Sequence, residues 1–302
     1  MPETSFSDAF GIVPALLTPY FSDGTVNHAV LAEMTESLVA QGVHGFYVGG
    51  STGDGVLQTA EERLACVATV ASAAANAVPI IAHIGTNSTA ETIRLANGAI
   101  ERGASAVSAI TPSVPLRLAE ISAHFRSVAS SVDAPFIAYN FPGRTGVTLS
   151  LDFFAELSDE PNIVGVKYTS LDVFQLGLLA RFDNERFAVW NGNDEVIYGG
   201  LIAGAKGAIG STFNVAPALY LRQLDAFRQA DQTLAADVQR EITDFVSDVV
   251  KIDVLAFLRE IMQLQGFEMG EPRQPLRRLT ADEQAWTRSV FDRSSVLQPQ
   301  LA

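Results

Sequence analysis

The sequence predicts an α/β fold, a (β/α)8 barrel with a C-terminal helical extension. Three observations lead there: eight short apolar runs at near-constant spacing, alanine-rich helical segments between them, and an all-helical pattern after Ser211. The runs begin at Ile12 (IVPALLTP), Gly45 (GFYVGG), Pro79 (PIIAHIG), Ala106 (AVSAITP), Pro135 (PFIAYN), Ile163 (IVGVKYT), Phe187 (FAVWNGN) and Gly207 (GAIGST). Segments such as HAVLAEMTESLVAQG and TAEERLACVATVASAAANA between them carry the helical period. Ser88 and Thr59 read as N-caps, and Gly42, Gly98 and Gly103 as helix ends. Strands that alternate with helices pair in parallel and are covered on both faces. Eight such units close a barrel whose chemistry lies at the strand C-termini. A doubly wound open sheet is the rival architecture, but no GxGxxG turn opens the first unit.

Beyond the eighth run, APALYLRQLDAFRQADQTLAADVQREITDFVSDVVKIDVLAFLREIMQLQG reads as nearly continuous helix. EPRQPLRRLTADEQAWTRSVFDRSS then adds a proline-marked loop and one more helix. That is more helix than the last barrel unit needs. The chain therefore divides into a catalytic barrel, residues 1–213, and an extension, residues 214–302, that completes and packs on it or on a neighbouring subunit.

Composition narrows the function classes. With 48% hydrophobic and 18% charged residues, the chain suits a globular protein with a large core. A formal charge of −14 argues against nucleic acid or an anionic membrane as partner. Cys66 is the only cysteine, which leaves no disulfide framework and no thiolate cluster. The first residues lack a basic leader and no apolar run reaches ~18 residues, so a cytoplasmic protein is expected. His28, His44, His83 and His124 show no ligand spacing, which predicts no metal site; His83 reads as a strand residue of the core.

One residue breaks the apolar pattern: Lys167, inside the strand-like run IVGVKYTS. On strict alternation Ile163, Gly165, Lys167 and Thr169 share one face, and Val164, Val166 and Tyr168 the other. The larger three suit the helix-facing side, which turns Lys167 into the barrel with Gly165 leaving room beneath it. Burial lowers an amine's pKa, and a neutral amine attacks ketones to form a Schiff base. A lone strand lysine also suits snorkelling to the barrel mouth or pairing with a carboxylate. The neighbouring segments bear on the choice. YVGGSTGDG ends a strand in small residues whose N–H groups can converge on an anion, with Ser51 and Thr52 as further donors. FIAYNFPGRTG sets Tyr139 on the face of Ile137, one strand from Lys167 if that face is inward. Asp194 and Glu195 in WNGNDE suit either the acidic start of a helix or acceptors for a polyol. Ser211 follows the last strand, but Lys206 alone does not make a phosphate site there.

The set GFYVGGSTGDG, AYNFPGRTG, GVKYTS, NGNDE and GAIGSTFN, in this order, resembles the N-acetylneuraminate lyase and dihydrodipicolinate synthase superfamily. The resemblance runs from about Gly11 to RQPLRRL near the C-terminus. It implies a class I aldolase, metal-free and without a cofactor, on a barrel that is usually tetrameric. Its substrates are a small 2-keto acid and a sugar. By the same resemblance Lys167 is the Schiff-base lysine, Ser51 and Thr52 bind the pyruvate carboxylate, and Tyr139 moves protons. Several details lean toward the lyase branch. Serine precedes threonine at 51 and 52, Thr169 matches a sugar contact, and Gly192, Asp194, Glu195 and Ser211 match residues along the hydroxylated chain. Three details depart from it: Arg144 is similar to a synthase arginine that engages a second carboxylate, Ser113 and Val114 stand where tyrosines are usual, and Asp54 replaces a glutamate. The expected reaction is reversible cleavage of N-acetylneuraminate to pyruvate and N-acetylmannosamine. The rivals are a related 2-keto-3-deoxy sugar-acid aldolase or dehydratase, dihydrodipicolinate synthase itself, and a non-catalytic sugar-acid binder.

Overall fold

A computed structural model describes residues 10–182 and 187–298. Residues 1–9 of the N-terminal stretch read above for a leader lie outside the described residues. Eight parallel strands follow the predicted runs: β1 (Ile12–Pro14), β2 (Phe46–Val48), β3 (Ile80–His83), β4 (Ala106–Ile110), β5 (Phe136–Asn140), β6 (Ile163–Tyr168), β7 (Ala188–Asn191) and β8 (Gly207–Gly210). Each pairs with its sequence neighbour, and β1 pairs with β8. A parallel bridge between Ala15 and Tyr47, with Leu16 N donating to Tyr47 O at 3.0 Å, joins β1 to β2 and closes the (β/α)8 barrel.

Two hydrophobic shells form. Inside the barrel, Val13, Tyr47, Ile81, Ile137, Trp190 and Ile209 make a small packed plug. Outside, a larger cluster fills the space between strands and helices, as a barrel requires. The helices begin where short polar side chains take up free N–H groups. Thr59 and Glu62 form a reciprocal capping box, and Ser88 accepts from Glu91 N. Gly42 and Gly103 lie at positive φ just past helix ends, as expected. Gly98 does not: it is buried inside the helix Thr89–Ile100, where a Cβ would come within 3.0 Å of Leu64. It is a glycine of close helix contact rather than of termination.

Strict alternation fails at the start of β6. Phe136 pairs with Ile163 but Ile137 pairs with Gly165, so Val164 is an extra, bulged residue. Ile163 consequently packs in the outer shell and Val164 against the inner plug, the reverse of the sequence expectation. Above the bulge the alternation resumes: Val166 and Tyr168 face the helices and Lys167 faces inward. Gly165 also has a different reason to be glycine. A Cβ there would lie 2.1 Å from the Ala188 carbonyl and 3.0 Å from the Trp190 ring, so it admits the neighbouring strand rather than the lysine.

The extension is three helices before its loop rather than one: Pro217–Arg228, Gln232–Val249 and Val254–Leu264. Asp231 and Asp253 each restart a helix by capping it, and Ala230 turns through positive φ. The first packs on β1 as the eighth barrel helix. A further helix spans Ala281–Arg293 after the proline-marked loop. One core cluster joins Ile12 and Ala208 of the barrel to Leu219, Val238, Phe257 and Phe291 of the extension. Among the described residues no helix is long and apolar enough to cross a membrane.

Candidate active site

Register places the two chemical residues side by side. Tyr139 on β5 is the direct Cα partner of Lys167 on β6, and Lys167 is in turn the partner of Trp190 on β7. Both side chains are buried, at 3% and 5% exposure. The Lys167 Nζ sits 4.4 Å from the centroid of the Tyr139 ring and 4.2 Å from that of Tyr47. Among the described residues no carboxylate oxygen lies within 4.0 Å of it. Burial lowers its pKa from 10.5 to about 7, opposed by the negative charge of Asp194. At neutral pH about half of such an amine is unprotonated.

The Tyr139 phenol is raised above its ordinary value, chiefly by burial; the nearby Thr169 and Ser51 hydroxyls and the Arg144 charge pull the other way. It therefore stays neutral at physiological pH and can pass a proton along a chain of hydroxyls. Ser51 and Thr52 lie in the loop after β2. Gly49 turns that loop at φ +73, and a Cβ on Gly55 would fall 1.9 Å from the Gly49 carbonyl, so the loop folds back on itself tightly. Its floor is tied down by Thr18 and Gln58, which both donate to the Gly53 carbonyl, at 2.7 and 2.9 Å. His83 braces the loop from β3. Its Nε2 accepts from Ile110 N at 3.4 Å, which makes Nδ1 the protonated nitrogen facing the Gly49 carbonyl at 3.2 Å. Burial holds this imidazole well below its usual pKa and hence neutral. Asp54, in a left-handed conformation at φ +56, reaches Arg259 only at 3.9 Å, an ion pair too long for a hydrogen bond. Burial raises its carboxyl to about 6.

Across the barrel mouth the loop after β7 supplies Gly192, Asp194 and Glu195. A Cβ at Gly192 would overlap the Thr169 hydroxyl at 2.0 Å, so this glycine is what lets the two strand ends meet. Thr169 Oγ1 is buried close to the Tyr139 hydroxyl, whose pKa it lowers. Asp194 Oδ2 accepts from Thr212 N at 2.9 Å, from Thr212 Oγ1 at 2.7 Å and, more weakly, from Ser211 Oγ at 3.4 Å. Thr212 Oγ1 also pairs with the Tyr220 hydroxyl at 2.6 Å. Since the single Thr212 proton goes to the carboxylate, the phenol is the donor in that second pair. Burial raises the Asp194 carboxyl, while the Thr212 bonds and Lys167 lower it. Glu195 accepts from Asn193 Nδ2 at 2.9 Å.

All ten residues singled out in the sequence, Lys167, Tyr139, Ser51, Thr52, Thr169, Gly192, Asp194, Glu195, Ser211 and Arg144, line one cavity of about 350 Å³. Its unforeseen walls are Val246, Val249, Val250, Val254 and Leu255, from the end of one extension helix and the start of the next, beside Phe141, Asn193, Ile209 and Thr212. Nothing in the mixed stretch VSDVVKIDVLAF pointed to them. Ser113 and Val114 line a neighbouring cleft of about 390 Å³, which shares Arg144 with this cavity. Among the described residues no group of three His, Cys, Asp or Glu side chains is arranged to hold a metal ion.

Known proteins with this arrangement are numerous. The family model described as the dihydrodipicolinate synthetase family matches residues 8–292. An N-acetylneuraminate lyase of Rhizobium meliloti is 34% identical over 270 residues, 89% of this chain and 90% of that one. Among solved structures, a sialic acid aldolase of Ruminococcus gnavus superposes with a TM-score of 0.91 at 27% identity, covering 94% of this chain and 96% of that one. A dihydrodipicolinate synthase of Bacillus anthracis superposes with a TM-score of 0.90 at 28% identity, covering 94% and 98%. A matched stretch that runs from before β1 to the last described helix leaves no part of the barrel outside the likeness, and the chain belongs to the dihydrodipicolinate synthetase family.

Proposed function

We propose that the protein is a class I carbon–carbon lyase that reversibly cleaves N-acetylneuraminate to pyruvate and N-acetylmannosamine. The observation that carries this reading is a buried amine with its pKa near 7, free of a carboxylate partner and set against a tyrosine on the adjacent strand. Lyases of this name among the relatives support the branch.

In this mechanism the neutral Lys167 amine attacks C2 of the open-chain sugar acid, and the ketone oxygen leaves as water, giving an iminium. Ser51, Thr52 and the turned N–H groups around them hold the carboxylate. The C4 hydroxyl proton passes to Tyr139 as that phenol hands its own proton to the substrate carboxylate or to water. The C3–C4 bond breaks, its electrons move to the iminium nitrogen as an enamine, and the C4 oxygen becomes the aldehyde. Protonation at C3 and hydrolysis release pyruvate and free the lysine. Thr169 offers a hydroxyl to the sugar, Gly192, Asp194 and Glu195 line the hydroxylated chain, and Ser211 adds a donor. The valines at the mouth exclude water from the enamine. A homotetramer in the cytoplasm accompanies this reading. The exposed apolar side chains Leu171, Phe174, Leu178 and Ile202 favour assembly.

Arg144 favours a second reading, in which the substrate is a 2-keto-3-deoxy sugar acid bearing another carboxylate, because the guanidinium lines the same cavity. Condensing pyruvate with a panel of aldehydes separates the two. N-Acetylmannosamine as the best acceptor supports the first; preference for a hydroxylated sugar aldehyde carrying a carboxylate supports the second, and aspartate semialdehyde as the sole acceptor removes both.

A further inference from the structure

The Lys167 amine has a second ring neighbour to which neither the resemblance nor the strand pattern gives a role. Tyr47 is fully buried on β2, and its hydroxyl pairs with Ser108 Oγ on β4 at 3.0 Å, so the ring spans the barrel interior. A Cβ at Gly50 would lie 2.6 Å from its Cε1, which shows how closely the loop clamps it. Its plane meets that of Tyr139 edge to face, with centroids 6.1 Å apart. Nζ lies 4.2 Å from the Tyr47 centroid, within the range of a cation over an aromatic face. Burial holds the Tyr47 phenol well above its usual pKa, so the ring is neutral.

We propose that Tyr47 is a catalytic residue for imine formation: its ring face stabilises the positive charge that the Lys167 nitrogen carries as an iminium. The inference rests on the imine-forming reading above. In the balanced step, a neutral amine, a ketone and one proton become an iminium and one water. The nitrogen is neutral at the start and carries a positive charge in the iminium. A carboxylate in this place would stabilise the ammonium strongly and keep the amine protonated. A ring face cannot take the proton, yet its negative quadrupole attracts the planar cation. The charged groups around the nitrogen agree with this division. Asp194, beyond β7, is the anion felt there, Arg144 acts on the neighbouring Tyr139 and His83, and His83 on β3 is neutral.

The test uses the full chain, pyruvate and borohydride, with the adduct on Lys167 read by mass across a series of pyruvate concentrations and pH values. Tyr47→Leu, which keeps an apolar side chain without a π face, is expected to need roughly 2- to 30-fold more pyruvate for half-capture. Its pH midpoint for capture is expected to move down, because the ammonium has lost a stabilising surface. Tyr47→Phe, which keeps a face, is expected to fall less. Phenylalanines of increasing fluorination at position 47 weaken the quadrupole at nearly constant shape, so capture is expected to fall stepwise along that series even if the leucine variant does not fold. A flat fluorination series, or a pH midpoint that rises in Tyr47→Leu because the ring only excluded water, would overturn the inference. Absence of any adduct in the wild-type protein would overturn the imine reading itself.

Discussion

Replacing the nucleophile should make the protein more stable. Lys167 is held at a pKa of about 7 against 10.5 for the unburied group, a difference of 3.5 units, or about 5 kcal/mol at ~1.36 kcal/mol per unit. Between those values the unfolded chain binds a proton that the folded chain has released, so wild-type stability rises with pH across that window. Below about pH 7 both states are protonated and the full penalty stands. Lys167→Met keeps the volume of the stem and removes the charge. The gain is smaller than the full figure, because Asp194 loses the neighbouring cation that lowers its own pKa. An increase of about 2–5 kcal/mol corresponds to roughly 3–8 °C in melting temperature for a chain of this length. Thermal melting of both proteins at one concentration, at pH values from 6.5 to about 10, gives the comparison. The variant should melt higher at pH 6.5, and the gap should narrow steadily above pH 7. A variant that melts lower at neutral pH, or a gap indifferent to pH, would refute the idea of an amine strained by burial.

Three further outcomes follow from the same geometry. The rate of pyruvate capture by the wild type should rise with pH through about 7 and level off above it, since only the neutral amine attacks; a midpoint near 10 would mark an ordinary, solvated lysine. Tyr139→Phe should lose ~10²–10⁴-fold in cleavage rate while still forming the pyruvate adduct, as measured by turnover and borohydride capture side by side. Thr212→Val removes the hydroxyl between Asp194 and Tyr220 and should raise the KM for the sugar acid roughly tenfold or more, with a much smaller effect on pyruvate capture. Equal losses in both assays would mean that Thr212 supports the barrel as a whole rather than the sugar end of the cavity.

The chemistry was more legible than the packing. Lys167 stands out because a charged residue in an apolar strand has to be explained, and the register of β5 against β6 then brings Tyr139 beside it. Strand count and order were readable because each run is bounded by glycine, proline or a polar turn. The bulge at Val164 was not readable, since alternation encodes no signal for one extra residue between two apolar positions, and the neighbouring carbonyl of Ala188 that makes Gly165 necessary belongs to another strand. Gly98 was misread for a similar reason: the local sequence cannot distinguish a helix end from a helix pressed against Leu64. The cover over the cavity, from Val246 to Leu255, depends on how helices remote in sequence return to the barrel mouth. Asp231 and Asp253 did carry a local signal, as capping residues that divide the long helical stretch. Tyr47 was visible in the motif but silent, because its meaning lies in a ring face turned toward a nitrogen on a strand four further along the barrel.

The most direct measurement is the mass of the intact protein after treatment with pyruvate and borohydride, followed by peptide mapping. A single reduced pyruvate adduct on the β6 lysine is the predicted result, absent from Lys167→Met. No adduct at saturating pyruvate, or an adduct on another lysine, would contradict the central claim.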